Sequence, residues 1–353
     1  MLWLVSFLGI AAVGGAMFID LDPESDEDGD SDTSADTGST GPVASLDDLL
    51  GDGTGTGEDT GEDTGDDTGD STGDGPEGEM IVGTDALDQI SGGAFNDTIS
   101  GLDGDDQING YAGEDSLDGG SGDDALFGAD GADTLTGGDG SDSLHGEDGA
   151  DSLVGDAGED ALLGHFGADT LAGGAGSDTL HGGADDDVAA GGAGADAVHG
   201  NAGNDTLSGG GGQDALFGGT GDDVVNGADD GDVRDYVNGG DGNDTLIAGA
   251  SDVVTGGAGA DRILIGDWAA EGTIDLVDFD VNEDQLMLIY DPSQGAPQLD
   301  LEADPDAPGE TILRLNGAEY LRLTGADNLS AEDIRLVGSD ADELADLPLT
   351  APL

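Results

Sequence analysis

Residues 119–127 read GGSGDDALF, residues 137–145 GGDGSDSLH, residues 173–181 GGAGSDTLH and residues 200–208 GNAGNDTLS. The same nine-residue unit repeats sixteen times from Gly83 to Asn226 with no insertion or deletion. It continues through a unit of twelve (227–238), one of nine (239–247), one of eight (248–255) and a last nine (256–264). Position one is glycine in every unit except the one opening at Ala248. Position six is aspartate in all twenty, and position eight is Ile, Leu or Val in all but the unit holding Ala189. A fixed short period decides the architecture before local propensity does.

A helix cannot use this pattern. Each of the two or three glycines per unit would cost it roughly 1 kcal/mol against alanine, and one aliphatic in nine draws no helical stripe. A coil of short strands and glycine turns can use it. Position eight then lies on a brief strand with its side chain inward. The first six positions are expected to form the turn, where glycine tolerates positive φ. Each unit is half a coil, so eighteen residues make one full turn, with strands stacked ~4.8 Å apart. Leu117, Leu135, Leu153 and Leu171 would form one inner column, and Leu126, Leu144, Leu162 and Leu180 the opposite one.

The aspartates must stack in the same way, Asp115 to Asp169 along one edge and Asp124 to Asp178 along the other. Like charges facing one another across strands destabilise a sheet, so something has to neutralise them. The ligands on offer are carboxylates and turn carbonyls. All are hard oxygens, which select calcium over zinc or copper.

The units resemble the hemolysin-type calcium-binding repeat of RTX proteins, G-G-x-G-x-D-x-U-x, over about half the chain. That resemblance implies an all-β protein, a right-handed parallel β-roll with two nonapeptides per turn. One calcium ion would sit between successive same-side turns, held by turn carbonyls and sixth-position carboxylates. The candidate ligands are Asp97, Asp106, Asp115, Asp124, Asp133, Asp142, Asp151, Asp160, Asp169, Asp178, Asp187, Asp196, Asp205, Asp214, Asp223, Asp244 and Asp261. Ala86, Phe95 and Asp185 replace the fourth-position glycine, and length changes fall around residues 230–232 and near Ser251. Sites beside these departures are expected to be weaker, and the best to lie between Gly101 and Asn226.

Composition agrees with this frame. The 353 residues carry 82 acidic against 5 basic side chains, a net charge of −77, with 70 glycines and few aromatics. A large conventional core is not expected. Nucleic acid is excluded as a partner, because phosphate binding needs basic residues. Self-repulsion of this size disfavours a compact state, so the repeats are expected to fold only as they bind calcium. No cysteine is present, which removes disulfides, thiolate sites and a thiol nucleophile.

Outside the repeats, residues 1–20 contain nineteen consecutive uncharged residues, MLWLVSFLGIAAVGGAMFI. That is long enough to span a bilayer as an apolar helix, although the stretch lacks the basic n-region of a secretory signal. A transmembrane anchor and a signal-like segment both remain open. Residues 21–79 are acidic and of low complexity, with a tetrad ladder GEDT-GEDT-GDDT-GDST at 57–72. Such a composition reads as a disordered, charge-extended linker. After Leu264 the period stops. Alternating stretches at 273–279, 285–290, 310–315, 319–324 and 333–337 predict a small β-rich cap over residues 267–338, as a solenoid end requires. A tail follows at 339–353. IDLVDFDVNEDQLMLIYD, at 274–291, also resembles the cap that follows RTX repeats.

His145, His181 and His199 all occupy position nine of odd-numbered units, a column that also carries Phe127, Leu163 and Phe217. The strip reads as tolerated surface variation or as a protein- or surface-binding face. A zinc site there lacks a third ligand. No H-E-x-x-H, G-x-S-x-G or phosphate loop appears. The paired acids recur with the repeat, which makes them poor candidates for glycosidase chemistry. The expected function is non-enzymatic. It is calcium binding by an exported, surface-tethered structural or adhesive protein, extracellular or at the cell surface. The alternatives are a freely secreted type I substrate whose repeats act as a calcium-driven folding ratchet, or, more remotely, an enzyme using the C-terminal region.

Overall fold

The computed structural model describes residues 70–72 (backbone only), 78–228, 233–266, 272–326 and 328–339. The apolar segment 1–20, the acidic stretch to residue 69 and the tail from 340 onward lie outside the described residues. Among the described residues no helix is long and apolar enough to cross a membrane.

The repeats coil into a parallel β-solenoid. Alternate half-coils feed two facing sheets, one of fifteen strands and one of thirteen. Strands on one face pair in parallel at an offset of eighteen, as in Leu144 with Leu162 and Leu162 with Leu180. The position-eight aliphatics from Ile90 to Ile263 are at most 3% exposed and form one continuous core cluster. That core is thin. Burying one leucine contributes about 1.5–3 kcal/mol, no more than the ordering of two or three residues costs at ~1–2 kcal/mol each.

The strand is longer, and the turn shorter, than the sequence pattern predicts. Ser143–Asp148 and Ala161–Phe166 are typical: six residues covering positions seven to nine and the first three of the next unit. Only positions four to six turn. The leading glycine therefore lies inside a strand and faces inward, and its role is not positive φ. A Cβ added to Gly128 would run into Oδ2 of Asp133 in the same unit and the carbonyl of Gly146. The left-handed conformation falls instead at position four, as in Gly140 (φ 144°), and at position two. Position two keeps it even where the residue is Leu102 (φ 85°), Ala129 (φ 82°), Glu147 (φ 75°) or His165 (φ 79°).

The acidic stretch is not all linker. Asp70–Thr72, the end of the tetrad ladder, pairs in parallel with Gln89, Ile90 and Ser91, and Met80–Val82 pairs with Thr98–Ser100. The edge of the first coil offers unpaired backbone groups that an extended segment of any composition can satisfy. At the other end the cap strands extend both sheets. Ile274–Leu276 and Gln285–Tyr290 add in parallel to the last repeats. Ile334–Gly338 closes one sheet. An antiparallel meander of Leu299–Ala303, Glu310–Leu315 and Ala318–Thr324 closes the other. The strand at 299–303 is not among the predicted ones, because its LDLEA carries only two apolar positions large enough to register as a pattern.

Candidate metal centre

Every candidate aspartate stands in one of two vertical ladders, and each is at most 4% exposed. The strand geometry that turns position eight inward also turns position six inward two residues earlier. The chain supplies each rung with one hydrogen bond: Oδ1 accepts the backbone N–H of the aspartate in the preceding coil. Asp124 takes the N–H of Asp106 at 2.7 Å, Asp142 that of Asp124 at 2.8 Å, and Asp160 that of Asp142 at 2.8 Å. On the other edge Asp115 takes Asp97, Asp133 takes Asp115 and Asp151 takes Asp133, all at 2.7–2.8 Å.

The second oxygen is left over. From Asp106 through Asp205, and again at Asp223, Asp244 and Asp261, Oδ2 is buried with no hydrogen-bond donor. Leaving one such acceptor unmade costs about 1–3 kcal/mol, and more for a charged group. Burial pushes the carboxyls of Asp124, Asp133, Asp142, Asp151, Asp169, Asp196 and Asp205 up to about 6. It pushes those of Asp187 and Asp244 up to about 7. The backbone N–H on Oδ1 works against this rise, and neighbouring carboxylates in the stack add to it in most of these rungs. Up to Asp223 the chain offers these charges no Lys or Arg, since none occurs between residues 1 and 233.

The ladder ends differ. Asp88 Oδ2 accepts from Thr84 N at 2.6 Å and Thr84 Oγ1 at 3.0 Å, and Asp252 Oδ2 accepts from Gly249 N at 2.6 Å. In the cap, Asp284 takes the N–H of Asp261 on Oδ1 at 3.1 Å and that of Asp280 on Oδ2 at 2.7 Å. The rungs at Asp88, Asp252 and Asp284 thus find donors in their own turns, and those from Asp106 to Asp205 do not. The nine-residue spacing does not reach Asp284, which follows Asp261 by 23 residues. Its Asp-Gln-Leu (284–286) nevertheless keeps the D-x-U spacing of a repeat.

A repeated buried oxygen without a donor, on a period of nine, is the geometry of a multivalent cation array. The family model for the RTX calcium-binding nonapeptide repeat matches this chain in overlapping stretches, among them 82–117, 127–162, 163–198 and 229–263, which together run from 82 to 263. The chain belongs to the RTX repeat family. Its repeats bind calcium. A comparison with curated proteins finds no match.

The donor set of the RTX roll fits calcium. It consists of carboxylate and carbonyl oxygens alone, in a flexible turn, which is what a large hard cation requires. The irregular units keep the ladders intact. Across the insertion, Asp235 Oδ1 takes the N–H of Asp214 at 2.8 Å and Asp244 that of Asp223 at 2.8 Å. Across the deletion, Asp252 takes Asp235 at 2.9 Å and Asp261 takes Asp244 at 3.0 Å. Asp235 and Asp252, left out of the candidates for lying beside the length changes, are therefore rungs of the same ladder. Asp185 substitutes for the fourth-position glycine by adopting φ 81° itself.

The histidine column is also formed. Phe127, His145, Leu163, His181, His199 and Phe217 are successive Cα partners. The rings of His181 and His199 stack at 4.7 Å, and those of His199 and Phe217 at 4.8 Å.

Proposed function

We propose that this protein is a non-enzymatic, exported RTX roll whose repeats fold as they bind calcium, and that the folded roll serves as a structural or adhesive element at the cell surface. The observation that carries this reading is the run of interior Oδ2 atoms without donors. On that ground we assign Asp106 through Asp205, with Asp223, Asp244 and Asp261, to calcium; Asp97 and Asp214 are assigned by their place in the repeat alone. Calcium supplies the positive charge that offsets two stacks of carboxylates. The chain does the rest: it presents the oxygens at fixed height by tying each Oδ1 to the preceding coil. The leading glycines leave room for each carboxylate in the interior.

The test is circular dichroism of the full chain in EDTA and then in millimolar calcium, alongside a calorimetric titration. Strand signal should appear with calcium, cooperatively and with several ions per chain. Full strand signal in EDTA at neutral pH would sink the coupling of folding to binding. Surface attachment rests on the apolar stretch 1–20, and the strip from Phe127 to Phe217 is the face we assign to contact. Cell fractionation tests attachment: full-length protein in the membrane fraction supports it.

The cap favours a second reading. Its strands continue both sheets, so it offers a template on which coils add one after another. That would suit a freely secreted protein folding progressively as it meets calcium outside, and finding the chain free in the medium would favour it. The non-enzymatic reading is supported by the engaged carboxylates of one cap cleft. That cleft, of about 430 Å³, holds Asp291 and Glu319. Asp291 is engaged by Ser293, and Glu319 by Arg314 and Arg322.

A further inference from the structure

We propose that His145, Glu147 and His165 form a binding site for a zinc-class transition-metal cation on the outer face of the roll, separate from the calcium ladders. The three side chains come from two neighbouring strands. His145 and Glu147 lie two residues apart on Ser143–Asp148, hence on the same face of the sheet. His165 lies on Ala161–Phe166, directly paired with Glu147 and diagonal to His145. The sequence pattern hides this, because it puts His145 in the position-nine column and His165 in position two of a later unit. The coil brings the two columns side by side.

The distances suit a single ion. His145 Nδ1 and His165 Nε2 are 3.3 Å apart, and His165 Nε2 and Glu147 Oε1 are 3.9 Å apart. All three ligand atoms fall within 4.8 Å of one another. Two ligands on a tetrahedral zinc, at ~2.0–2.1 Å each, stand roughly 3.3–3.4 Å apart. His145 is also oriented from behind, since its Nε2 lies 3.2 Å from Ser143 Oγ, leaving Nδ1 to face His165. A hydrogen-bonded second nitrogen is the usual support of a metal-binding imidazole. Phe127 stacks on His145 at 4.8 Å and covers one side, while Glu147 is exposed and leaves the other open to water. Two imidazoles and one carboxylate with an open position form a known zinc donor set, and nitrogen ligands reject calcium. The roll contains its own control. His181 and His199 stack more closely, at 4.7 Å against 5.6 Å for His145 and His165, but the residues paired at position two of those strands are Gly183 and Asn201, which offer no third ligand of this kind.

The test uses the full chain in saturating calcium, titrated with Zn2+ by calorimetry and with Co2+ by visible absorption. Variants are chosen to be tolerated. His145→Leu copies Leu163 of the same column, His165→Asn keeps a residue type that accepts positive φ, and Glu147→Gln keeps the shape. The expected result is one Zn2+ site per chain above the acidic background, with tetrahedral Co2+ bands. His145→Leu and His165→Asn should abolish the bands. Glu147→Gln and Ser143→Ala should weaken binding about 10–100-fold, and His181→Ala should leave it unchanged. Calcium-induced strand signal should be the same in all variants, so loss of this site is distinguishable from loss of the roll. Zn2+ binding that is absent, or equal in parent and His165→Asn, or displaced by calcium, overturns the proposal.

Discussion

Asp124 gives one carboxylate oxygen to its neighbour and keeps the other bare: Oδ1 accepts the backbone N–H of Asp106 at 2.7 Å, while Oδ2 is buried with no donor. The relationship repeats rung after rung along both edges. It sets the mechanical and the electrostatic behaviour of the molecule, because the bond aligning each coil also drags a charge into the interior.

The first consequence concerns pH. Buried rungs bind protons more tightly in the folded state than in the unfolded chain, with carboxyls raised to about 6 at Asp133 and Asp142 and to about 7 at Asp187 and Asp244. Their metal-free folded form is therefore most favoured in acid, and that stability is lost as pH rises through 6 to 7. In EDTA, strand signal by circular dichroism should be stronger at pH 5 than at pH 8. Calcium competes with those protons, so its apparent affinity should rise from pH 5 to pH 8. A strand signal in EDTA that grows with pH contradicts the burial of these groups.

Asp160→Asn should have opposite effects in two buffers. Asparagine keeps an oxygen for the Asp142 N–H and replaces a bare carboxylate oxygen by a donor. In EDTA the variant should show more strand signal by circular dichroism than the parent, since one buried charge is gone. In saturating calcium it should bind fewer ions and lose on the order of 1–3 kcal/mol, the cost of an unmet buried polar group. Strand signal in EDTA and melting curves in calcium decide it, and a change of the same sign in both would contradict the assignment.

The inward glycine makes a sterically specific claim. Gly128→Ala places a Cβ against Asp133 Oδ2 and 2.9 Å from the Gly146 carbonyl, and overpacking of this kind costs about 1–3 kcal/mol. Gly211 is the control, with nothing within 4 Å of its added Cβ and no positive φ. Gly211→Ala should be neutral or stabilising by about 0.4–1 kcal/mol. Equal melting temperatures for the two variants would remove steric demand as the reason for the leading glycine.

Ala129→Gly should raise stability, against the usual direction of that exchange within a strand. Ala129 holds φ 82°, a conformation costing an L-residue about 1–2 kcal/mol. Glycine adopts it freely but loses roughly 0.5–1 kcal/mol of unfolded-state entropy. The expected net gain is up to about 1 kcal/mol in calcium, read by chemical denaturation. A net loss would mean that the position-two turn is not strained.

Much of this was legible from residue spacing. The inner columns, the eighteen-residue turn and the stacking of Asp115 with Asp133 follow from a period that allows only one coil. Strands at 285–290 and 310–315 appear at the predicted bounds, because alternation there is strong. The spacing implies a turn of six positions and the structure has one of three, because the leading glycine leaves space for a carboxylate instead of supplying positive φ. Asp70–Thr72 could not be anticipated: nothing in an acidic tetrad marks a strand, and only the open edge of the first coil recruits it.

The amino-acid order alone determined the repeat, hence the stacking of one aspartate and one aliphatic per half-coil, hence a fold short of oily core and in need of cations. Local spacing suffices for that because each unit contacts mainly copies of itself. Tertiary structure alone decided which carboxylate oxygen is bound and which is bare. It also decided how the ladders ride over an insertion and a deletion, and that Glu147 and His165 meet His145. Those facts depend on which residues the coil sets side by side across strands, and separation along the chain does not encode lateral distance between columns.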